Sequence, residues 1–531
     1  MVILLFLACP AEPEPAPTVE LLPLEAPLLA RRMSIDLRGV LPSIEELDRV
    51  EADPSTLTEL REQWLGDPLF EERLVELYQE GWGTRVDEFR GYYFDFDLPE
   101  TENYHFLRAI GEEPLRVAAR VVAQDFPYSE LVTADWTMAN PMLAEIFPID
   151  RPEGDSEWVP STYTDQRPSA GILTTNGLWW RYISPINNYN RARTAAVLDL
   201  LVCEDLLSRP VVFSAALSTA PSEVAEAVRE EPACLACHAT VEPIAATFFG
   251  FLDVDDQSAR EMSRYHPERE HEGVDTLGVE TAWYGEPVNG LEELGRAIGR
   301  DSRFVDCGVQ TMAEGMLRRP VEDSDVAMLR DAREAVVDSG LQMKAALRVI
   351  TDSPAYQAGK LGSGTGGESQ STRRILVATQ LRSILRELSG FVWQRGGAEQ
   401  LDWDQTGFRV MGGSVDGDLL SAPQQTPGLT WALLTRRTAQ MAARSVADQD
   451  LGGSSPRLLL GVDRSTRPGD PAFDAQLSQL YWRLLAQRAD APTREALSRL
   501  WSESYAVQNS TTDAWGAVLT VLLRDPEFLT Y

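Results

Sequence analysis

Apolar residues recur at helical spacing along most of the chain. Leu47, Val50, Leu57, Leu60, Trp64, Leu74 and Leu77 follow one another mostly at three, four or seven positions, as one buried stripe on a helix demands. Start signals stand where such helices need them. Ser43-Ile44-Glu45-Glu46 after Pro42 reads as a capping box, and Asp67-Pro68 as an N-cap followed by a first-turn proline. The spacing predicts further helices from Val309 to Leu317, two within 325–357, and then around 374–393, 427–447, 472–488, 493–508 and 512–524. The fold class expected is mainly α, a multi-domain helical protein.

Interruptions in the pattern divide the chain. From 151 to 168 the text turns to Pro, Asp, Ser and Thr, and Gly359–Ser371, with five glycines and three serines, reads as a flexible linker. The expected units are a helical domain over 21–150, a middle domain over 151–357, a linker over 358–372 and a final helical domain over 373–531. A weak repeat, Asp or Ser followed by Pro and an aromatic, marks Asp67–Phe70, Ser353–Tyr356 and Asp525–Phe528. Related modules and convergent cap chemistry both account for it. The stretch Tyr92–Asp97 reads as a binding edge or a packed loop, and Asp416 with Asp418 as a cation loop or a solvated turn.

Composition changes the picture in one respect. With 82 acidic against 48 basic residues the net charge is −34, which repels nucleic acid and anionic lipid, so no nucleic-acid partner is expected. A hydrophobic content of 44% with 13 Trp marks a folded rather than a disordered acidic chain.

The chemistry is concentrated at Cys234-Leu235-Ala236-Cys237-His238. Cys-x-x-Cys-His is the attachment site of a c-type haem, in which both thiols bind the porphyrin and the imidazole binds iron. Five Cys and four His in 531 residues make a chance pentad rare. Two other readings stand beside it. Zinc held by the two thiols with His266 and His271 needs an unusually long spacing after Cys237. A redox dithiol lacks the surrounding βαβ pattern.

The N-terminus bears on where such chemistry takes place. Met1–Ala8, an apolar run directly before Cys9, resembles the end of a bacterial lipoprotein signal peptide, though it is short, lacks a positive start and has Phe6 where Leu is usual. The alternative is an uncleaved apolar N-terminus. On the first reading Cys9 is lipidated, residues 10–20 form a Pro-rich tether, and a lipid anchor is the protein's link to a membrane. Outside the cytoplasm the two remaining cysteines, Cys203 and Cys307, are expected to form a disulfide around the motif, against the alternative of two buried thiols.

The run Leu28-Leu29-Ala30-Arg31-Arg32-Met33-Ser34-Ile35-Asp36-Leu37-Arg38-Gly39-Val40-Leu41-Pro42-Ser43 resembles the N-terminal module of planctomycete-type cytochrome c proteins, large secreted chains with a single haem motif. Ser169–Thr174, the helix after Asn190, and the closing stretches Tyr481–Arg488 and Asp525–Leu529 resemble later parts of that family. The resemblance implies one covalent haem c in a cytochrome-c-like middle domain, and a function largely unassigned. It makes Arg191 and Arg193 candidates for pairing with haem propionates, with surface arginines offsetting the acidic excess as the other reading. Glu242-Pro243-Ile244-Ala245 stands where the family has Asp-Pro-Ile-Gly. A carbonyl near Pro243 is expected to orient His238, and Phe248, Phe249 and Phe251 to wall the haem.

His238 is thus the expected proximal ligand. The distal position is open among His266, Met312 and no protein ligand, with Met262, His271 and Met316 also downstream. The function expected is electron transfer with an extracytoplasmic redox partner protein, in the periplasm or at the cell surface as an outer-membrane lipoprotein. The alternatives are a haem oxidoreductase of peroxidase or oxidase type and a surface binding lipoprotein with a structural haem. Nothing matches a P-loop, a dinucleotide fingerprint or a nucleophile elbow.

Overall fold

The computed structural model describes residues 20–531 apart from 207, 210–227, 229, 253–257, 363–369 and 454. Cys9 and the tether up to Val19 therefore lie outside the described residues. The protein is mainly α-helical, and its strands form small two- and three-stranded antiparallel sheets. The expected start signals operate as such. Ser43 Oγ accepts from Glu46 N at 3.1 Å while Glu46 Oε2 accepts from Ser43 N at 2.7 Å, and Asp67 caps the helix Pro68–Trp82. The other two Asp/Ser-Pro sites also cap and begin helices, Pro354–Gln357 and Pro526–Leu529.

Two large cores organise the chain. One runs from Leu29 to Tyr356 and continues across the boundary expected at 150. Helix Pro68–Trp82 packs on helix Ser302–Leu317 so closely that a Cβ on Gly315 would lie 2.8 Å from the Leu77 side chain, which would have to shift to admit it. The other core unites Ile375 through Tyr531 with Ile35 and Leu41. Its helices Ala378–Ser389, Leu429–Gly452, Pro471–Leu485, Ala491–Gln508 and Thr511–Leu522 lie where the spacing predicts them. The linker is corrected at its ends. Ala358–Gly362 and Gln370–Ser371 are strands, and the former pairs antiparallel with Glu20–Pro23, Leu21 opposite Leu361.

Helix Ala26–Arg38 lies between the two cores as a strut, Leu29 and Met33 in one and Ile35 in the other. Its polar residues are buried as deeply as its apolar ones, so they need partners inside the protein. Arg31 donates to the carbonyls of Thr530 and Phe528 at 2.7 Å, and Arg32 to those of Tyr356 and Ala358 at 2.8 and 2.7 Å. Asp36 accepts from Arg374 Nη1 at 2.7 Å and from the hydroxyls of Tyr356 and Tyr531 at 2.9 Å. The run that carries the resemblance is thus the seam of the molecule.

Candidate functional site

The Cys-x-x-Cys-His motif lies on helix Pro232–Ala245, which Glu231 precedes and Pro232 opens at its first turn. Proline there costs nothing, because its missing N–H would have had no helical partner. Cys234 and Cys237 are three apart and Cys234 and His238 four apart, so all three share one face. The motif residues are half-buried and both thiols are free. The last turn, with Val241, Glu242, Ile244 and Ala245, is buried. Pro232–Phe251 has the length and mean hydropathy, 1.3, of a membrane span, yet its C-terminal half packs into the protein core.

One carboxylate organises the polar side of this helix. His238 Nδ1 and Glu242 Oε1 are 2.7 Å apart, and Arg191 Nε donates to the same oxygen at 2.7 Å. Glu242 Oε2 is buried without a hydrogen-bond partner. Burial pushes the Glu242 carboxyl up, but the hydrogen bonds from His238 and Arg191 outweigh it and hold it below the usual glutamate range. With an ionised acceptor at Nδ1, a neutral imidazole carries its proton there and its lone pair at Nε2. Arg191 begins helix Arg191–Val202, which the Asn188 side chain caps by accepting from Ala192 N at 2.7 Å. A cation in that first turn opposes the helix dipole, and the ion pair with Glu242 offsets the cost.

Beside the motif helix lies a cavity of about 460 Å³ lined by Tyr189, Arg191, Leu235, His238, Glu242 and Leu277 among others, within the size range of cofactor pockets. The donor set fits a c-type haem. Two free thiols and an imidazole share one helix face and His238 Nδ1 is occupied, which leaves Nε2 free for a metal; His238 and Arg191 line the cavity, while Cys234 and Cys237 stand on the same helix outside its lining.

The remaining expected residues are distributed differently. Cys203 and Cys307, the expected pair, have Sγ atoms 2.06 Å apart and enclose the motif within a 104-residue separation. His266 lines a separate small recess with Trp179, Trp180, Arg193 and Met262, its Nδ1 bonded to Glu268. Met312 is fully buried in the first core. Neither distal candidate lines the cavity of His238. Arg193 also faces away. It donates to Asn190 Oδ1 and to the carbonyl of Phe251, and burial without a carboxylate lowers its pKa to about 9. Of the two candidate arginines, Arg191 is the one on the cavity wall.

Two further expectations are corrected, for the phenylalanines and for the partner of His238, and two of the alternatives, zinc and a cation loop, lack their geometry. Phe248, Phe249 and Phe251 pack in the cores rather than along the cavity. The zinc set is not assembled, since among the described residues no three or more His, Cys, Asp or Glu side chains gather around one point. Asp416 Oδ1 accepts from the backbone N–H groups of Asp418, Leu419 and Leu420 at 3.1, 2.8 and 2.8 Å, so this carboxylate closes its own turn. The partner of His238 is a carboxylate, in place of the carbonyl expected near Pro243. Its signal was in the sequence, since Glu242 follows His238 by four residues, one helical turn on. No family model, curated protein or solved structure matches the chain.

Proposed function

We propose that this is an exported c-type haem protein that transfers electrons outside the cytoplasm, anchored by lipid at Cys9, of the planctomycete-type cytochrome c kind. The observation that carries the reading is the single helix face holding the free Cys234 and Cys237 and a His238 whose Nδ1 is already engaged, beside a cavity of about 460 Å³. Cys234 and Cys237 would bind the porphyrin as thioethers, His238 Nε2 would ligate iron, and Arg191 would face a propionate. Bound there, haem supplies one-electron chemistry between ferric and ferrous iron. The net charge of −34 favours a redox partner with a basic docking face.

A second reading, a haem oxidoreductase, is favoured by a specific observation. Among the described residues no other His and no Met stands on the cavity wall. The test is the visible spectrum and intact mass of full-length protein matured in a periplasm. A mass increment of one haem that survives denaturation supports attachment, and its absence overturns both readings. Low-spin iron indifferent to cyanide selects electron transfer, whereas high-spin iron that binds cyanide selects the oxidoreductase.

A further inference from the structure

The proposed attachment leaves open what sets the electron affinity of the iron, and the geometry around His238 bears on it. An imidazole whose distal nitrogen donates to a neutral carbonyl is a weaker donor than one bonded to a carboxylate, because the charge-assisted bond leaves more electron density on the ligating nitrogen. Here the acceptor is Glu242, one helical turn from His238 and 2.7 Å from Nδ1. The carboxylate is held from its other side. Arg191 Nε reaches the same oxygen at 2.7 Å, while Oε2, buried and unpartnered, contributes no competing bond. One oxygen atom therefore serves two donors of opposite effect. The imidazole draws on its negative charge, and the guanidinium diminishes it.

We infer that Glu242 is the positioning residue of His238, fixing Nε2 toward the cavity and strengthening it as a donor, and that Arg191 limits this effect by sharing the carboxylate oxygen. A stronger donor favours the ferric over the ferrous state, so Glu242 lowers the reduction potential and Arg191 raises it. Helix geometry supplies the precision. His238 and Glu242 are bound to one backbone turn, and Arg191 enters from the first turn of Arg191–Val202, which packs on the motif helix. Neither residue is asked to touch a substrate.

The inference rests on haem attachment at Cys234 and Cys237, and its test separates the two. Full-length protein, matured with haem and checked by intact mass for one haem per chain, is titrated potentiometrically alongside E242Q, E242D, R191Q and the double variant. E242Q should raise the potential, because a neutral amide replaces the carboxylate at nearly the same shape. R191Q should lower it. In the E242Q background the R191Q shift should be smaller, since the part that Arg191 exerts through the carboxylate is gone and only its charge beside the propionate is lost, and E242D should fall between wild type and E242Q. A merely structural role for Glu242 would not produce shifts of opposite sign at equal haem content. An unchanged potential in E242Q, or an R191Q shift as large without Glu242 as with it, overturns the inference while leaving attachment intact. Should E242Q fail to retain haem, R191Q decides alone, and a potential that stays or rises overturns it. Wild-type protein without covalent haem overturns the attachment reading itself, and this inference with it.

Discussion

Helices Ala26–Arg38 and Pro232–Ala245 both carry polar residues that a helix interior does not ordinarily hold, and they treat them in opposite ways. On the strut helix Arg31, Arg32 and Asp36 are within 2% of complete burial, and each is engaged by groups more than three hundred positions further along the chain. Burial lowers the pKa of both arginines to about 10, because their partners are mainly carbonyls rather than carboxylates. On the motif helix the thiols are free, one oxygen of Glu242 has no partner, and His238 keeps one nitrogen open. The strut helix also leaves donors unsatisfied, Arg31 Nε, Arg32 Nε and Arg32 Nη2, so what sets the motif helix apart is that its thiols and imidazole are only half-buried and open to a ligand.

Substitution should separate the two kinds of helix. Replacing both Cys234 and Cys237 by Ser should abolish covalent haem altogether, read by intact mass, while the urea midpoint of the haem-free protein shifts by only ~0.5 kcal/mol, as expected for half-exposed side chains. Replacing Cys203 and Cys307 by Ser should lower stability by up to about 4–5 kcal/mol, since a loop of roughly a hundred residues is released in the unfolded state. Asp36→Ala should follow closely, with a loss of about 3–5 kcal/mol by chemical denaturation, because it strands Arg374 in the interior. Its haem content per folded chain should stay at the wild-type value. A fall in haem content as large as the fall in stability would dissolve the distinction between the helices.

Acid should discriminate further. Asp402 is buried, accepts from Tyr104 Oη at 2.8 Å and lies 3.1 Å from Arg382 and 3.5 Å from Arg85. Burial pushes its carboxyl up, yet Arg382, Arg85, Arg108 and Arg409 prevail and hold it well below the usual aspartate range. The unfolded chain therefore takes up this proton first. The stabilisation is fully present above pH ~4 and is lost as pH falls through the folded-state value. Urea unfolding at successive pH values should show that acid slope in the wild type and a shallower one in Asp402→Asn. The smallest effects belong to the residues the cavity does not include. Met312→Leu should cost less than ~1.5 kcal/mol, and neither it nor His266→Gln should alter the spectrum of the haem-loaded protein. A spectral change in either would place that residue on the iron.

Helices were legible because their stripes and caps are local. The Ser43–Glu46 capping box and the five C-terminal helices needed no knowledge of what lies across the core. The single core spanning 29–356 was not legible, since Leu77 meets Gly315 only through tertiary packing and nothing near either residue announces the other. The strand Ala358–Gly362 was hidden for the same reason, its partner Glu20–Pro23 being more than three hundred residues away, and Gln370–Ser371 pairs with that strand in turn. At the site, the thiols and imidazole could be read from spacing alone. The carboxylate of Glu242 was visible at one turn's distance, but an acid at that spacing commonly faces solvent, and only the burial of the last turn gives it this role. The position of His266 in a separate recess depends on how the loop after Gly250 returns, with His266 N donating to Gly250 O at 2.9 Å.

The strut helix also has a bearing on time. The partners of its Arg31, Arg32 and Asp36 are 320 to 499 positions away along the chain, and contacts of that span form only after intervening segments have become ordered, because closing so long a loop is entropically costly. The seam should therefore close late, after both cores have condensed. Interactions absent from the transition state govern how fast a protein comes apart rather than how fast it forms. Loss of Arg31 or Asp36 should accordingly steepen the rate of unfolding while refolding proceeds almost unchanged, which makes this one buried helix the latch on the protein's lifetime.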